Sequence, residues 1–201
     1  MTETERNELN LARACYKAEN DEEGALHYSA VLSENPDNPE AYYFCRYQDY
    51  LESIVKKEVK EILSAITAMQ VALDKAVGYV AAAEECSKSE KLSIVQAIVR
   101  TYTPVVDYVI ETRISTSRDT IEGGVLFLYY LGNYIKKHFN SNPDAMKLAI
   151  IPWKEGVKLQ QKFYAYKYEG YKAEDYVKEI RKVDPSYTIP KKAGCVSIGN
   201  K

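Results

Sequence analysis

The octet Asn35-Pro36-Asp37-Asn38-Pro39-Glu40-Ala41-Tyr42 lies between two stretches of helical periodicity. Pro36 has no N–H to give a continuing helix and ends the first stretch. Asn38 carries a side chain suited to capping free N–H groups. Pro39 fits a first helical turn, where a missing N–H leaves nothing unpaired. The octet therefore reads as an elbow, and the chain as a succession of helices joined by turns. Upstream, residues 5–18 place Leu9, Ala12 and Tyr16 on one helical face, with Leu11, Cys15 and Ala18 beside it. Glu19-Asn20-Asp21 forms the next turn, with Asn20 or Asp21 as the cap. A second helix runs to about Glu34 and presents Ala25, Tyr28, Ser29 and Leu32. Downstream, Ala41 to Leu51 sets Tyr42, Cys45 and Asp49 in one row and Tyr43, Tyr47 and Tyr50 in the neighbouring row.

Leu11-Ala12-Arg13-Ala14-Cys15-Tyr16-Lys17, then Ala25-Leu26-His27-Tyr28, then the elbow, resembles a tetratricopeptide (TPR-like) repeat and the start of a second. Leu11 and Ala12 match the large-then-small pair of the first repeat helix, Pro36 the closing proline and Tyr42 the aromatic that opens the next repeat. The sequence departs from the pattern at Gly24, where the repeat has its small alanine, and at Cys15, where it has an aromatic. The resemblance covers residues 5–51 and implies a groove lined by the first helix of each repeat. The groove residues it implies are Arg13, Tyr16 and Lys17 from one repeat and Tyr43, Tyr47 and Tyr50 from the next. If those helices pack instead on the rest of the chain, Tyr43 and Tyr47 become core.

The middle of the sequence is the most regular part. Val55, Val59, Ile62, Ile66, Met69, Leu73, Ala76, Val80 and Ala83 alternate steps of four and three, which makes an apolar seam. Leu92, Val95, Val99, Tyr102, Val106, Val109 and Arg113 repeat the alternation, with Ile98 and Val105 widening the stripe. Ser87 and Glu90, three apart, read as a capping box between the two. The expectation is a long antiparallel helical hairpin, ~40 Å at 1.5 Å per residue, with Pro104 kinking its second arm near Tyr102. Further helices follow over 121–139 (Val125, Leu128, Gly132, Ile135 and Phe139 inward), 143–168 (Met146, Ala149, Trp153, Val157 and Tyr164 inward) and 173–183 (Tyr176, Ile180 and Val183 inward). No strand pattern occurs. The fold expected is all-α: a TPR-like segment over 1–52, a helical bundle over 53–184 packed on it, and an extended or disordered tail over 185–201.

Composition narrows the function classes. Apolar residues at 46% and charged residues at 28% suit a globular protein. The N-terminus is acidic and polar, unlike a secretion signal. The longest apolar run, Gly123 to Leu131, is short of the ~20 residues of a membrane helix. Cys15, Cys45, Cys86 and Cys195 have no metal-binding spacing, so free thiols and a cytoplasmic location with no membrane partner are expected. Net charge is −8 over residues 1–52, +1 over 53–152 and +5 over 153–201. Acidic front and basic tail can attract within or between molecules, or simply be solvated.

Chemistry-bearing motifs are few. His27 and His138 are the only histidines, and neither lies in a metalloprotease or di-iron pattern. Glu23 and His27, four apart, are half a metal site at most, with a surface ion pair the simpler reading. No phosphate-binding loop or nucleophile signature is present. No catalytic residue, metal or cofactor is expected. Tyrosine is the unusual component, 18 of 201 residues, clustered at 42–50 and 164–176. Such rings suit interfaces and equally suit helix margins. Residues 154–172 interleave lysine with aromatics, as single-strand binders do, although an amphipathic helix gives the same pattern. The expectation is a non-enzymatic helical-repeat adaptor for an unknown protein or peptide segment. The alternatives are a self-associating protein, such as a homodimer, and, less favoured, nucleic-acid binding through 154–172.

Overall fold

The computed structural model describes residues 1–111, 118–140, 142–162 and 173–190. Among them every regular element is a helix: α1 (Glu3–Lys17), α2 (Asp21–Glu34), α3 (Pro39–Lys56), α4 (Val59–Ala82), α5 (Lys88–Glu111), α6 (Arg118–Phe139), α7 (Pro143–Lys162) and α8 (Ala173–Val183). The starts follow local chemistry. Asn38 Oδ1 accepts from the Ala41 N–H at 3.0 Å, with Pro39 as the first helical residue. Ser87 and Glu90 close a reciprocal capping box, each backbone N–H donating to the other's side chain at 2.8 and 3.2 Å. Asn142 Oδ1 accepts from the Asp144 N–H at 3.0 Å ahead of α7.

The third helix runs past Leu51 to Lys56 before the chain turns. Lys57 ends it in the left-handed conformation (φ 60°), and the Glu58 N–H donates back to the Ser53 carbonyl at 3.0 Å. Val55 is therefore in the last turn of α3 and 82% exposed, and Val59 in the first turn of α4 is 47% exposed. The apolar seam begins at Ile62 and holds to Ala83. Heptad spacing carried the pattern across a turn that only the backbone reveals.

The chain divides into two compact units, Met1–Tyr102 and Thr103–Lys201, with the division inside α5 next to Pro104. In the first unit α1 packs on α2, α2 on α3, and α3 most extensively on α4. Tyr28 stacks on Phe44 with ring centroids 4.7 Å apart, and Tyr16 closes on Phe44 at 4.2 Å. Gly24 makes this approach possible, since a Cβ there would stand 2.5 Å from Tyr16 Cδ2. The buried face of α2 is Gly24, Ala25, Tyr28 and Val31. Ser29, expected inward, is exposed, with its hydroxyl donating to the Ala25 carbonyl at 2.9 Å, and Leu32 is half-buried. The small Gly24 rotated the inward stripe by one position. Val95, Ile98, Val99 and Tyr102 of α5 are buried as expected.

In the second unit α6 packs on α7 and α7 on α8. Val125, Leu128, Gly132, Ile135 and Phe139 are all buried. The Trp153 indole N–H donates to the Tyr129 carbonyl at 3.2 Å, and Tyr129 stacks on Tyr176 at 3.7 Å. Gly132 and Gly156 leave room for these rings: a Cβ at Gly156 would lie 2.6 Å from Tyr129 Cε1. α8 buries Ala173, Tyr176, Val177 and Ile180, with Val183 only half-buried. Residues 187–190 have no regular structure, and the rest of the expected tail, 191–201, lies outside the described residues, as do Tyr164 and residues 163–172 of the lysine–aromatic stretch.

Candidate functional site

The six residues expected to line a groove fall into different environments. Tyr16 and Tyr50 are buried, and Tyr43 has no exposed surface. The Tyr43 hydroxyl lies 3.0 Å from Thr101 Oγ1 and donates to the Ile98 carbonyl at 3.3 Å, tying α3 to α5. All three are core residues: Tyr16 packs against Tyr28 and Phe44, and α5 covers Tyr43. Tyr47 is half-buried against Tyr50, and Lys17 is exposed.

The Arg13 side chain is turned inward, 8% exposed. Its guanidinium forks onto Glu40, Nε to Oε1 at 2.9 Å and Nη2 to Oε2 at 2.7 Å. Glu40 is 0% exposed and also accepts from the Tyr28 hydroxyl at 2.7 Å. Nη1 of Arg13 reaches Cys86 Sγ at 2.9 Å. Burial pulls the Arg13 pKa down, but the hydrogen bond to Glu40 and its charge overcome this and hold the guanidinium charged. Burial, reinforced by Glu40, pushes the Tyr28 phenol well up. The node joins α1, α2 and α3 through the first residue after the elbow's second proline. Its two charged members are 27 residues apart, and no local spacing announces the pair.

A cleft of about 370 Å³ opens between α3 and α4, lined by Arg46, Asp49, Glu52, Ser53, Lys56, Glu58, Glu61, Ser64, Ala65 and Ala68. Four carboxylates thus face two cations. Arg46 pairs with Asp49 at 2.8 Å and Lys56 with Glu52 at 3.8 Å, while Glu58 and Glu61 stand at the start of α4. The walls are polar apart from two alanines, unlike the apolar, enclosed pockets that take small molecules. Sequence periodicity could not show this cleft, because the turn at Lys57 that folds α4 back on α3 interrupts no apolar pattern.

Cys15, Glu23 and His27 each offer a ligand atom within 4.8 Å of the others. His27 pairs with Glu8, Nδ1 to Oε2 at 2.7 Å. The ion pair expected between Glu23 and His27 is thus made by Glu8 of α1, while Glu23 and His27 share a trio with Cys15. In the second unit, Lys154 pairs with Asp184 at 2.8 Å and Lys158 with Glu155 at 2.7 Å. Lys154 and Lys158 of the lysine stripe are thus engaged with carboxylates. No helix among the described residues is long and apolar enough to cross a membrane.

Comparison with protein-family models, curated proteins and solved structures found no match.

Proposed function

We propose that the protein is a non-enzymatic adaptor whose first unit is a TPR-like helix array that holds a basic segment of a partner protein in the α3–α4 cleft. The observation that carries this reading is the charge of that cleft, with Asp49, Glu52, Glu58 and Glu61 against Arg46 and Lys56. The unit around it has the same sign, 11 Lys/Arg against 18 Asp/Glu over residues 1–102. Complementary fields of this kind speed encounter and select the sign of the partner. Consecutive packing of α1 through α4, and the close α1–α2 approach at Gly24, support the repeat reading. The surface offered is the cleft in place of the row of tyrosines.

Fluorescence anisotropy with a labelled alternating Lys–Ala peptide and its Glu–Ala counterpart tests the reading. Selective binding of the lysine peptide is expected, weakening with salt and at least tenfold in Glu58→Lys/Glu61→Lys. Equal binding of both peptides, or an unchanged affinity in that variant, overturns it. A lysine peptide that competes with self-association in light scattering assigns the cleft to a second copy instead.

A further inference from the structure

We propose that Cys15, Glu23 and His27 form a metal site of the zinc class, binding through thiolate, carboxylate and imidazole Nε2, with a fourth position open. The donor set is the first argument. Thiolate and imidazole together favour zinc over the hard cations magnesium and calcium, and three protein ligands with an open position is a common zinc arrangement. The second argument is distance. The three ligand atoms lie within 4.8 Å of one another. Tetrahedral zinc with bonds of ~2.0–2.3 Å needs donors roughly 3–4 Å apart, so the three donors draw in by about 1 Å to close on an ion.

The surroundings supply a third argument, independent of the ligand count. The Glu8 carboxylate accepts from His27 Nδ1 at 2.7 Å, which fixes the tautomer and leaves the Nε2 lone pair free. Asn20 Nδ2 donates to Glu23 Oε2 at 2.5 Å and steadies that carboxylate at the start of α2. Both supports are of the kind that orients metal ligands, and both come from residues outside the trio. Gly24 sets the spacing between the helices: a Cβ there would lie 3.2 Å from Cys15 Cβ. Binding as thiolate releases the Cys15 thiol proton to solvent. Cys15 and His27 are half-buried and Glu23 is exposed, so the ion enters directly from solvent.

The site goes beyond the adaptor reading and does not depend on it, since it lies on α1 and α2, away from the α3–α4 cleft lining. The test is a Co²⁺ titration of the chelator-treated full chain under a phosphine reductant, followed by displacement with Zn²⁺. A single equivalent with a thiolate-to-cobalt charge-transfer band, bleached by zinc, is expected. Cys15→Ser should abolish the band at unchanged helicity, His27→Ala and Glu23→Gln should each weaken binding at least tenfold, and Glu8→Gln by about 10–100-fold. No band in the parent protein, or the same band in Cys15→Ser, overturns the proposal. If Cys15→Ser fails to fold, the two surface-facing variants decide: unchanged affinity in both His27→Ala and Glu23→Gln overturns it as well.

Discussion

The first unit, Met1–Tyr102, buries a charge pair, whereas the described core of the second, Thr103–Lys201, is built on neutral rings and glycines. In the first, Glu40 is held by Arg13 and Tyr28, and the three helices that contribute them are fixed by directional bonds. In the second, Trp153 and Tyr129 fill spaces that Gly132 and Gly156 leave open. The two strategies fail differently. A buried ion pair adds little stability when intact, yet removing one partner strands the other in a low-dielectric interior. A glycine-seated ring is sensitive to added volume and indifferent to charge.

The broadest separation of the units is expected in alkali. Burial pushes the phenols of Tyr16, Tyr28 and Tyr43 up in the first unit, and that of Tyr129 in the second. Above pH about 10 these phenols keep their protons when folded and lose them when unfolded, so stability falls as pH rises. Each such phenol lowers stability further as the pH climbs past the ordinary phenol value. Trp153 is the single tryptophan and reports on the second unit. Helicity by circular dichroism should therefore fall before tryptophan emission shifts, and a coincident change would remove the contrast.

Arg13→Ala should cost about 3–5 kcal/mol in urea unfolding, because Glu40 is left buried without its cation. Arg13→Met combined with Glu40→Leu should recover most of that loss. A double variant as unstable as the single one would mean that shape, not charge, holds the node. Gly132→Ala acts on the other unit, where a Cβ would meet Trp153 and stand 2.7 Å from the Ala149 carbonyl. A cost of ~1–3 kcal/mol is expected, with a shifted Trp153 emission. Tyr43→Phe removes the hydroxyl that reaches Ile98 and Thr101 and should cost about 1 kcal/mol. Lys17→Ala, on an exposed side chain, should stay within about 0.5 kcal/mol in thermal melts.

Local chemistry was legible and long-range chemistry was not. The Asn38 cap, the Ser87–Glu90 box and the inward row of α6 could be read from spacing because each is settled within a few residues. The inward face of α2 shifted because a glycine can go deeper than any periodicity rule assigns it. The seam was extended to Val55 because a turn made by a left-handed Lys57 leaves the heptad count intact. Tyr43 suits a groove when the repeat is viewed alone with one face open, and its bonds to Ile98 and Thr101 of α5 show that face covered at this position. The trio at Cys15, Glu23 and His27 was half visible as an i, i+4 pair. Its sulfur comes from a neighbouring helix, and helix packing is what sequence spacing does not encode.

The Arg13–Glu40 bridge also bears on how the chain is made. A ribosome releases α1 and α2 before the elbow, and with them a cation and a phenol whose common acceptor has not yet been synthesised. The first hairpin therefore waits in an unfinished state until Pro39 and Glu40 emerge. A fragment ending at Asn38 should be cut readily by protease and one ending at Lys56 should resist, and Glu40→Leu in the longer fragment measures how much of that protection the carboxylate adds to the packing of Phe44.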